Sequence, residues 1–309
     1  MEKKMIFRIV GLIIIIILII YGINQFMARR SQKKMQMTQE RIDAIYEYAA
    51  SRYEEKDYDR AIGPYEFISN EESAGAKRED AILKLVTIYE EKNYLIKSRE
   101  YSKKYLKLFP DSEFVSDMQA KVEELNMRIL FSTIITDDSV NYVVQEGDTL
   151  GKIAIIKGTT VELIRKSNGL KNDIIRPGQT LKVMNAKFSV LVDKSQNLLF
   201  LKKNGEVFKT YVVSTGSNFS TPEGKFTIQE KMISPVWYKI GAVVSPTSAE
   251  YELGTRWMGL SADGYGIHGT NDPGSIGKHI TKGCVRMINK EVEELYSILP
   301  SGTEVEIVE

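Results

Sequence analysis

With one cysteine in 309 residues, the chain cannot close a disulfide on itself, so its folded parts must be held by packing alone. The same scarcity makes Cys284 a group that needs an explanation, because an unpaired thiol is either a small buried hydrophobe or a reactive centre. Histidine is nearly as scarce. The only two, His268 and His279, both lie shortly before that cysteine. Charge of one sign is missing too: Lys plus Arg (42) and Asp plus Glu (41) nearly cancel, and no basic surplus argues for nucleic acid. Between residues 35 and 130 proline occurs only at 64 and 110, which leaves long stretches free to be helical.

What is present gathers in His268-Gly-Thr-Asn-Asp-Pro-Gly-Ser-Ile-Gly-Lys-His279-Ile-Thr-Lys-Gly-Cys284-Val-Arg-Met287. A thiolate attacks far better than a thiol, so a catalytic cysteine needs a base beside it and N–H donors for the oxyanion its attack creates. Gly283 lets the backbone turn and brings an unshielded N–H close to a substrate carbonyl. His268 is the expected base, and His279, five residues before the cysteine, is its rival.

Gly-Ile-His-Gly-Thr at 266–270 and Thr-Lys-Gly-Cys-Val-Arg-Met at 281–287, joined by a glycine-rich loop, resemble the signature of the YkuD-type L,D-transpeptidases. Gly-Thr-Arg-Trp-Met-Gly-Leu at 254–260, and Ser-Thr-Gly with Thr-Pro-Glu-Gly-Lys-Phe within 214–226, resemble other segments of that family. The resemblance covers roughly residues 187–309. It implies that Cys284 is the acyl-accepting nucleophile, that His268 donates and accepts the proton, that the Gly269 carbonyl orients the imidazole and that Arg286 faces the substrate. Lys282 stands where many members have histidine. No metal and no cofactor is expected. Trp237, Tyr238 and Trp257 could wall a peptide stem, although a core role suits them equally.

The catalytic region reads as mainly β. Phe188 to Asp193 alternates, and Leu198 to Lys203 meets Val207 to Ser214 across Asn204-Gly205, a dipeptide that favours a type I′ hairpin. A helix from Asn289 to Ile298 and a strand from Glu304 to Val308 close it. Residues 142–184, from Tyr-Val-Val-Gln-Glu-Gly-Asp-Thr-Leu to Arg-Pro-Gly-Gln-Thr-Leu-Lys-Val, read as two short strands around two helices. Asp148 and Thr149 are candidate caps for the first helix, and Thr159 or Thr160 for the second. The string resembles a LysM module, which implies binding of N-acetylglucosamine-containing glycans through two loops. The expected contacts are Gly147, Asp148 and Thr149 in the first loop, with Asn168, Ile175 and Pro177 in the second.

Upstream, Ile9 to Ile23 with Met5 to Phe7 and Phe26 to Met27 approaches the ~20 apolar residues that cross a bilayer. No small-residue cleavage site follows, so an uncleaved signal anchor over residues 5–27 is expected, within a segment 1–34. Positive charges flank it on both sides and do not orient it. Residues 35–130 show helical spacing, and Tyr53-Glu-Glu-Lys-Asp-Tyr58 recurs thirty-six residues later as Tyr89-Glu-Glu-Lys-Asn-Tyr94, near the period of tetratricopeptide helix pairs. Such a region would be a spacer or a docking surface for a protein partner. A linker, 131–141, precedes the LysM-like module.

The architecture expected is therefore multidomain: a transmembrane helix, an all-α TPR-like region, a βααβ LysM module and a mainly-β YkuD-type domain. The function expected is a peptidoglycan L,D-transpeptidase acting on stem peptides, single-pass in the cell membrane with its domains on the extracytoplasmic side. An L,D-carboxypeptidase, or a peptidoglycan-binding adaptor without catalysis, are the alternatives.

Overall fold

The computed structural model describes residues 2–239, 242–245, 248 and 251–309, and of residues 2–20, 22, 237–239, 242 and 243 it describes the backbone alone. The chain forms two compact units, Met1–Gln119 and Ala120–Glu309. In the first, α1 (Glu2–Glu54) is a single 53-residue helix followed by α2 (Tyr58–Asn70), α3 (Ala76–Glu91) and α4 (Leu95–Leu108). The α1–α2 and α3–α4 turns each use one left-handed residue, Lys56 and Asn93. Ile42, Ala49, Ala61, Tyr65, Ile68, Leu85 and Ile88 build the core. The thirty-six-residue recurrence has a structural counterpart: Tyr53 meets Tyr58 and Tyr65, and Tyr89 likewise meets Tyr94 and Tyr101.

Among the described residues no helix is long and apolar enough to cross a membrane. The expected anchor at 5–27 falls mostly on residues whose side chains lie outside the described ones. Its backbone is helical and runs without a break into the region beyond residue 34, so the expected boundary there is not a break in secondary structure.

The second unit begins inside α5 (Val115–Leu130), rather than after it. From residue 120 onward this helix packs with the strands after it. Asn126 Nδ2 donates to Phe208 O at 2.9 Å, and Thr210 Oγ1 donates to Glu123 Oε1 at 2.9 Å. The unit then continues with β1 (Ser139–Val143), α6 (Leu150–Lys157), α7 (Val161–Ser167) and β2 (Thr180–Met184), with β1 and β2 antiparallel. This is the expected βααβ module. Thr149 caps α6 by accepting from Lys152 N at 3.2 Å, and Thr160, rather than Thr159, caps α7 by accepting from Leu163 N at 2.9 Å. The module is not a free bead on a linker. Lys182, 3% exposed, donates from Nζ to Ile129 O (2.7 Å) and Ser132 O (2.8 Å), closing the C-terminal end of α5.

The remaining strands are β3 (Phe188–Asp193), β4 (Leu198–Lys203), β5 (Glu206–Val212), β6 (Thr215–Gly216), β7 (Gly224–Ile233), β8 (Trp237–Lys239), β9 (Ala242–Val244), β10 (Arg256–Leu260), β11 (Gly266–His268), β12 (His279–Thr281), β13 (Val285–Arg286) and, after α8 (Asn289–Ile298), β14 (Glu304–Val308). Eight of them form one sheet in the order β13-β11-β10-β7-β14-β3-β4-β5. Every second residue of β3 is buried, the period of a strand with one face on a core. Asn204 and Gly205 both have positive φ, as the type I′ turn requires, and join β4 to β5. Helix α8 buries Val292, Leu295 and Ile298 in the core formed with Val190, Leu199, Ile228, Met258, Ile267 and Val305. Two short ladders, β6 with β12 and β8 with β9, lie outside that sheet.

Candidate active site

Two strands of the large sheet carry the expected pair. Strand β11 lies parallel to β13 with His268 opposite Arg286 and Ile267 opposite Val285. Cys284 lies in the bend that leads directly into β13, two residues before the Arg286 that pairs with His268. His268 is 3% exposed, and its Nδ1 lies 2.7 Å from Gly269 O. A carbonyl only accepts, so Nδ1 carries the proton and Nε2 keeps its lone pair, which is the tautomer a base needs. Burial, with the nearby Arg286 charge, lowers the imidazole pKa to about 4 against the hydrogen bond to Gly269. Burial likewise raises the Cys284 thiol, so thiol and imidazole both rest neutral. The Sγ lies 3.7 Å from Gly264 O.

Neighbours that sequence reasoning missed hold this arrangement. Asn289, at the start of α8, accepts from both Thr255 N and Thr270 N at 3.1 Å and pins the backbone beside Gly269. Thr281 Oγ1 accepts from Gly283 N at 3.2 Å and donates to Cys284 O at 2.6 Å. The Gly283 N–H, expected to hold an oxyanion, is thus engaged by a hydroxyl, with which an oxyanion would compete. Gly283 is irreplaceable for another reason: φ is +118° and a Cβ would stand 2.5 Å from Tyr265 Cε1. Only Thr281 lies in the motif; Asn289 and Tyr265 come from other elements, and no spacing rule marks them.

Arg286 is 9% exposed, bonded to Ser275 Oγ at 3.2 Å and Glu252 Oε2 at 3.0 Å, while its Nε has no partner among the described residues. Trp257 lies over His268, ring centroids 5.9 Å apart and 23° from parallel, and donates from Nε1 to Glu230 Oε1 at 3.1 Å. With Glu230, Asp263, Gly264 and Tyr265 it lines a groove of about 530 Å³ beside the pair. Trp237 and Tyr238 lie on β8, and their side chains are outside the described residues. The rival base, His279, sits on β12 and not on the catalytic strands. Its Nδ1 is 2.9 Å from Thr215 Oγ1 and its Nε2 3.2 Å from Asn197 Nδ2. Among the described residues no group of His, Cys, Asp and Glu could hold a metal ion.

The glycan-contact residues expected in the βααβ module divide. Asn168 spends its amide inside, donating to Ile164 O and Lys182 O and accepting from Lys182 N. Asp148 likewise accepts from Tyr142 OH and Gln145 N at 2.8 Å, shaping the loop instead of capping α6. Ile175 turns onto the module's core, and its neighbour Ile174, 73% exposed, faces outward. These contacts hold the two loops in shape. Gly147 has φ +79° in the first loop, and Thr149, whose hydroxyl accepts from Lys152 N, and Pro177 are exposed. A groove of about 640 Å³ lies along Asn172, Ile174, Arg176 and Gln179.

Residues 142–183 match the LysM domain, and residues 187–307 match the YkuD L,D-transpeptidase catalytic domain. The putative L,D-transpeptidase YkuD of Bacillus subtilis is 35% identical over 176 residues, 54% of this chain and 98% of that protein. Its namesake in Bacillus licheniformis is 34% identical over 174 residues, 54% of this chain and 97% of that one. The putative L,D-transpeptidase YqjB of B. subtilis is 39% identical over 126 residues, covering 39% and 70%. With a buried histidine in the basic tautomer on the strand paired to the one that follows the single cysteine, and nearly the whole length of a relative matched, this chain belongs to the YkuD family of L,D-transpeptidases.

Proposed function

We infer that the protein is a peptidoglycan L,D-transpeptidase that works through a Cys284 acyl-enzyme. The thiol gives its proton to His268 Nε2 as sulfur attacks the carbonyl between the diamino residue and the D-Ala of a stem peptide. The imidazolium, held by the Gly269 carbonyl, returns that proton to the departing D-Ala amine. An amine of a neighbouring stem then takes the acyl group and frees the thiol. The observation that carries this reading is the hydrogen bond from His268 Nδ1 to Gly269 O, which aims the basic nitrogen away from the backbone. Because the resting pair is neutral, His268 acts as a general base during attack rather than by storing a thiolate.

Arg286, with one guanidinium N–H unspent, is the proposed substrate contact, and Trp257 a wall of the approach. The LysM module supplies glycan affinity, Gly147, Asp148, Thr149, Asn168, Ile175 and Pro177 being its proposed contacts beside the Ile174 groove. The helical hairpins are TPR-like and would dock a protein partner. An anchor at residues 5–27 would place every domain outside the cytoplasmic membrane, where the substrate lies. Mass spectrometry of stem-peptide products tests the reading. A cross-linked dimer that has lost D-Ala supports it, whereas release of D-Ala with tripeptide alone makes the enzyme an L,D-carboxypeptidase.

A further inference from the structure

His279 takes no part in the chemistry above, yet both of its ring nitrogens are committed, and the proton positions follow from its partners. Thr215 Oγ1 donates its one hydrogen to Asn197 Oδ1 at 2.8 Å, so toward His279 it can only accept. His279 Nδ1 therefore carries a hydrogen. The Asn197 amide is oriented by Gly277 O, an acceptor 3.5 Å from its Nδ2, so that nitrogen also donates to His279 Nε2 at 3.2 Å. The ring is thus a neutral imidazole bridging a threonine and an asparagine from two other segments.

This bridge stands at the head of the short β6–β12 ladder, where His279 pairs with Thr215 and Thr281 with Gly216. The far end of the ladder touches the nucleophile. A Cβ on Gly216 would stand 3.0 Å from Gly283 Cα, and Thr281 ties both Gly283 N and Cys284 O. The loop after Gly216 is held in a costly conformation: Asn218 and Phe219 both have positive φ, which a bulky residue seldom adopts. Gly216 N donates to Thr221 Oγ1 at 2.7 Å, and Lys194, its side chain 6% exposed, donates to Phe219 O and Thr221 O while pairing with Glu223. Phe219 in turn lies on the His279 ring, centroids 4.9 Å apart.

The geometry points to His279 as a positioning residue for acyl transfer: through Thr215 it fixes the β6–β12 ladder, and the ladder fixes the Gly283–Cys284 backbone against which the oxyanion forms. This rests on the assignment of Cys284 as nucleophile. The consequence is selective. Attack on an acyl group needs the sulfur and nearby donors in register, whereas alkylation by a small reagent needs only an accessible thiol.

The test uses the full chain and three variants, His279→Ala, Thr215→Val and the double variant, measured for acylation of Cys284 by a carbapenem, for alkylation by iodoacetamide and for Tm. Each single change is expected to slow acylation roughly tenfold, within the loss that slight misplacement of a reacting group causes. The double variant is expected to lose no more than either single one, because both break one connection. Alkylation should stay within about twofold, the rate being set by the thiol itself. His279→Asn, which keeps an N–H where Nδ1 stands, should restore most of the acylation rate. Unchanged acylation in the single variants, losses that multiply in the double variant, alkylation falling in parallel, or no recovery with asparagine would each overturn the proposal. A Cys284→Ala control separates the two readings: if that variant is still acylated, the nucleophile assignment fails first.

Discussion

At the scale of single residues, the proposed site is two groups, Cys284 and His268, that rest neutral, so their reactivity would come from placement. Cys284→Ala should abolish acylation and turnover with Tm unchanged, and acylation persisting at more than a few per cent would remove Cys284 from its role. His268→Ala should cost about 10²–10⁴-fold, the usual worth of a positioned general base, well beyond the loss at His279; steady-state rates of the two variants decide it. The buried imidazole also makes a pH prediction. Its folded pKa, about 4, lies below the ordinary 6.5, so the unfolded chain binds the proton first as pH falls. Stability contributed by His268 is present above about 6.5 and is lost as pH falls from there toward 4. Tm measured across that window should fall more steeply in the parent than in His268→Gln, which does not titrate, and parallel curves would contradict the assignment. The expectation that His268 is the base was readable from the Gly-Ile-His-Gly setting. Its tautomer was not, since that depends on a carbonyl whose direction Asn289 fixes from another element.

At the scale of elements, strand and helix limits followed from local pattern: β3, β4, α8 and β14 begin and end where alternation and helical spacing placed them. Loops behaved otherwise. The alternation that marks a strand stops in residues 168–179, so pattern alone does not tell that Ile174 is exposed while Ile175 packs against the module's core and the Asn168 amide bonds backbone groups. Ile174→Asp should therefore weaken binding to intact sacculi while sparing Cys284 acylation, and unchanged pull-down would leave that groove without a role. Lys182 binds element to element. Burial lowers its pKa to about 8 from 10.5, so the charged form is disfavoured in the fold and the unfolded chain holds the proton between those values. Stability should then rise with pH from about 8 to 10.5 in the parent and less so in Lys182→Met, read by denaturant unfolding.

At the scale of the molecule, the LysM module and the catalytic domain form one compact unit, joined by the Lys182 contacts to α5 and by Thr160, whose hydroxyl donates to Ser297 O in α8. Excising residues 142–183 would strip those contacts, so glycan binding is better tested by loop substitutions than by deletion. For topology, a reporter that works only outside the cytoplasm, fused after Glu309, should be active; activity confined to the cytoplasm would dismiss the proposed anchor orientation and substrate together. The sequence by itself determined the order of the segments, the secondary structure with a short-range period, and the residues proposed as nucleophile and base, because each is written in residues close along the chain. Tertiary structure alone decided where the compact units divide, that the Asn168 amide bonds Ile164 and Lys182, and that the second histidine is bound to Thr215 and Asn197. Those outcomes depend on hydrogen-bond partners dozens of residues away, and a donor or acceptor carries no mark in the sequence of the distant group that will satisfy it.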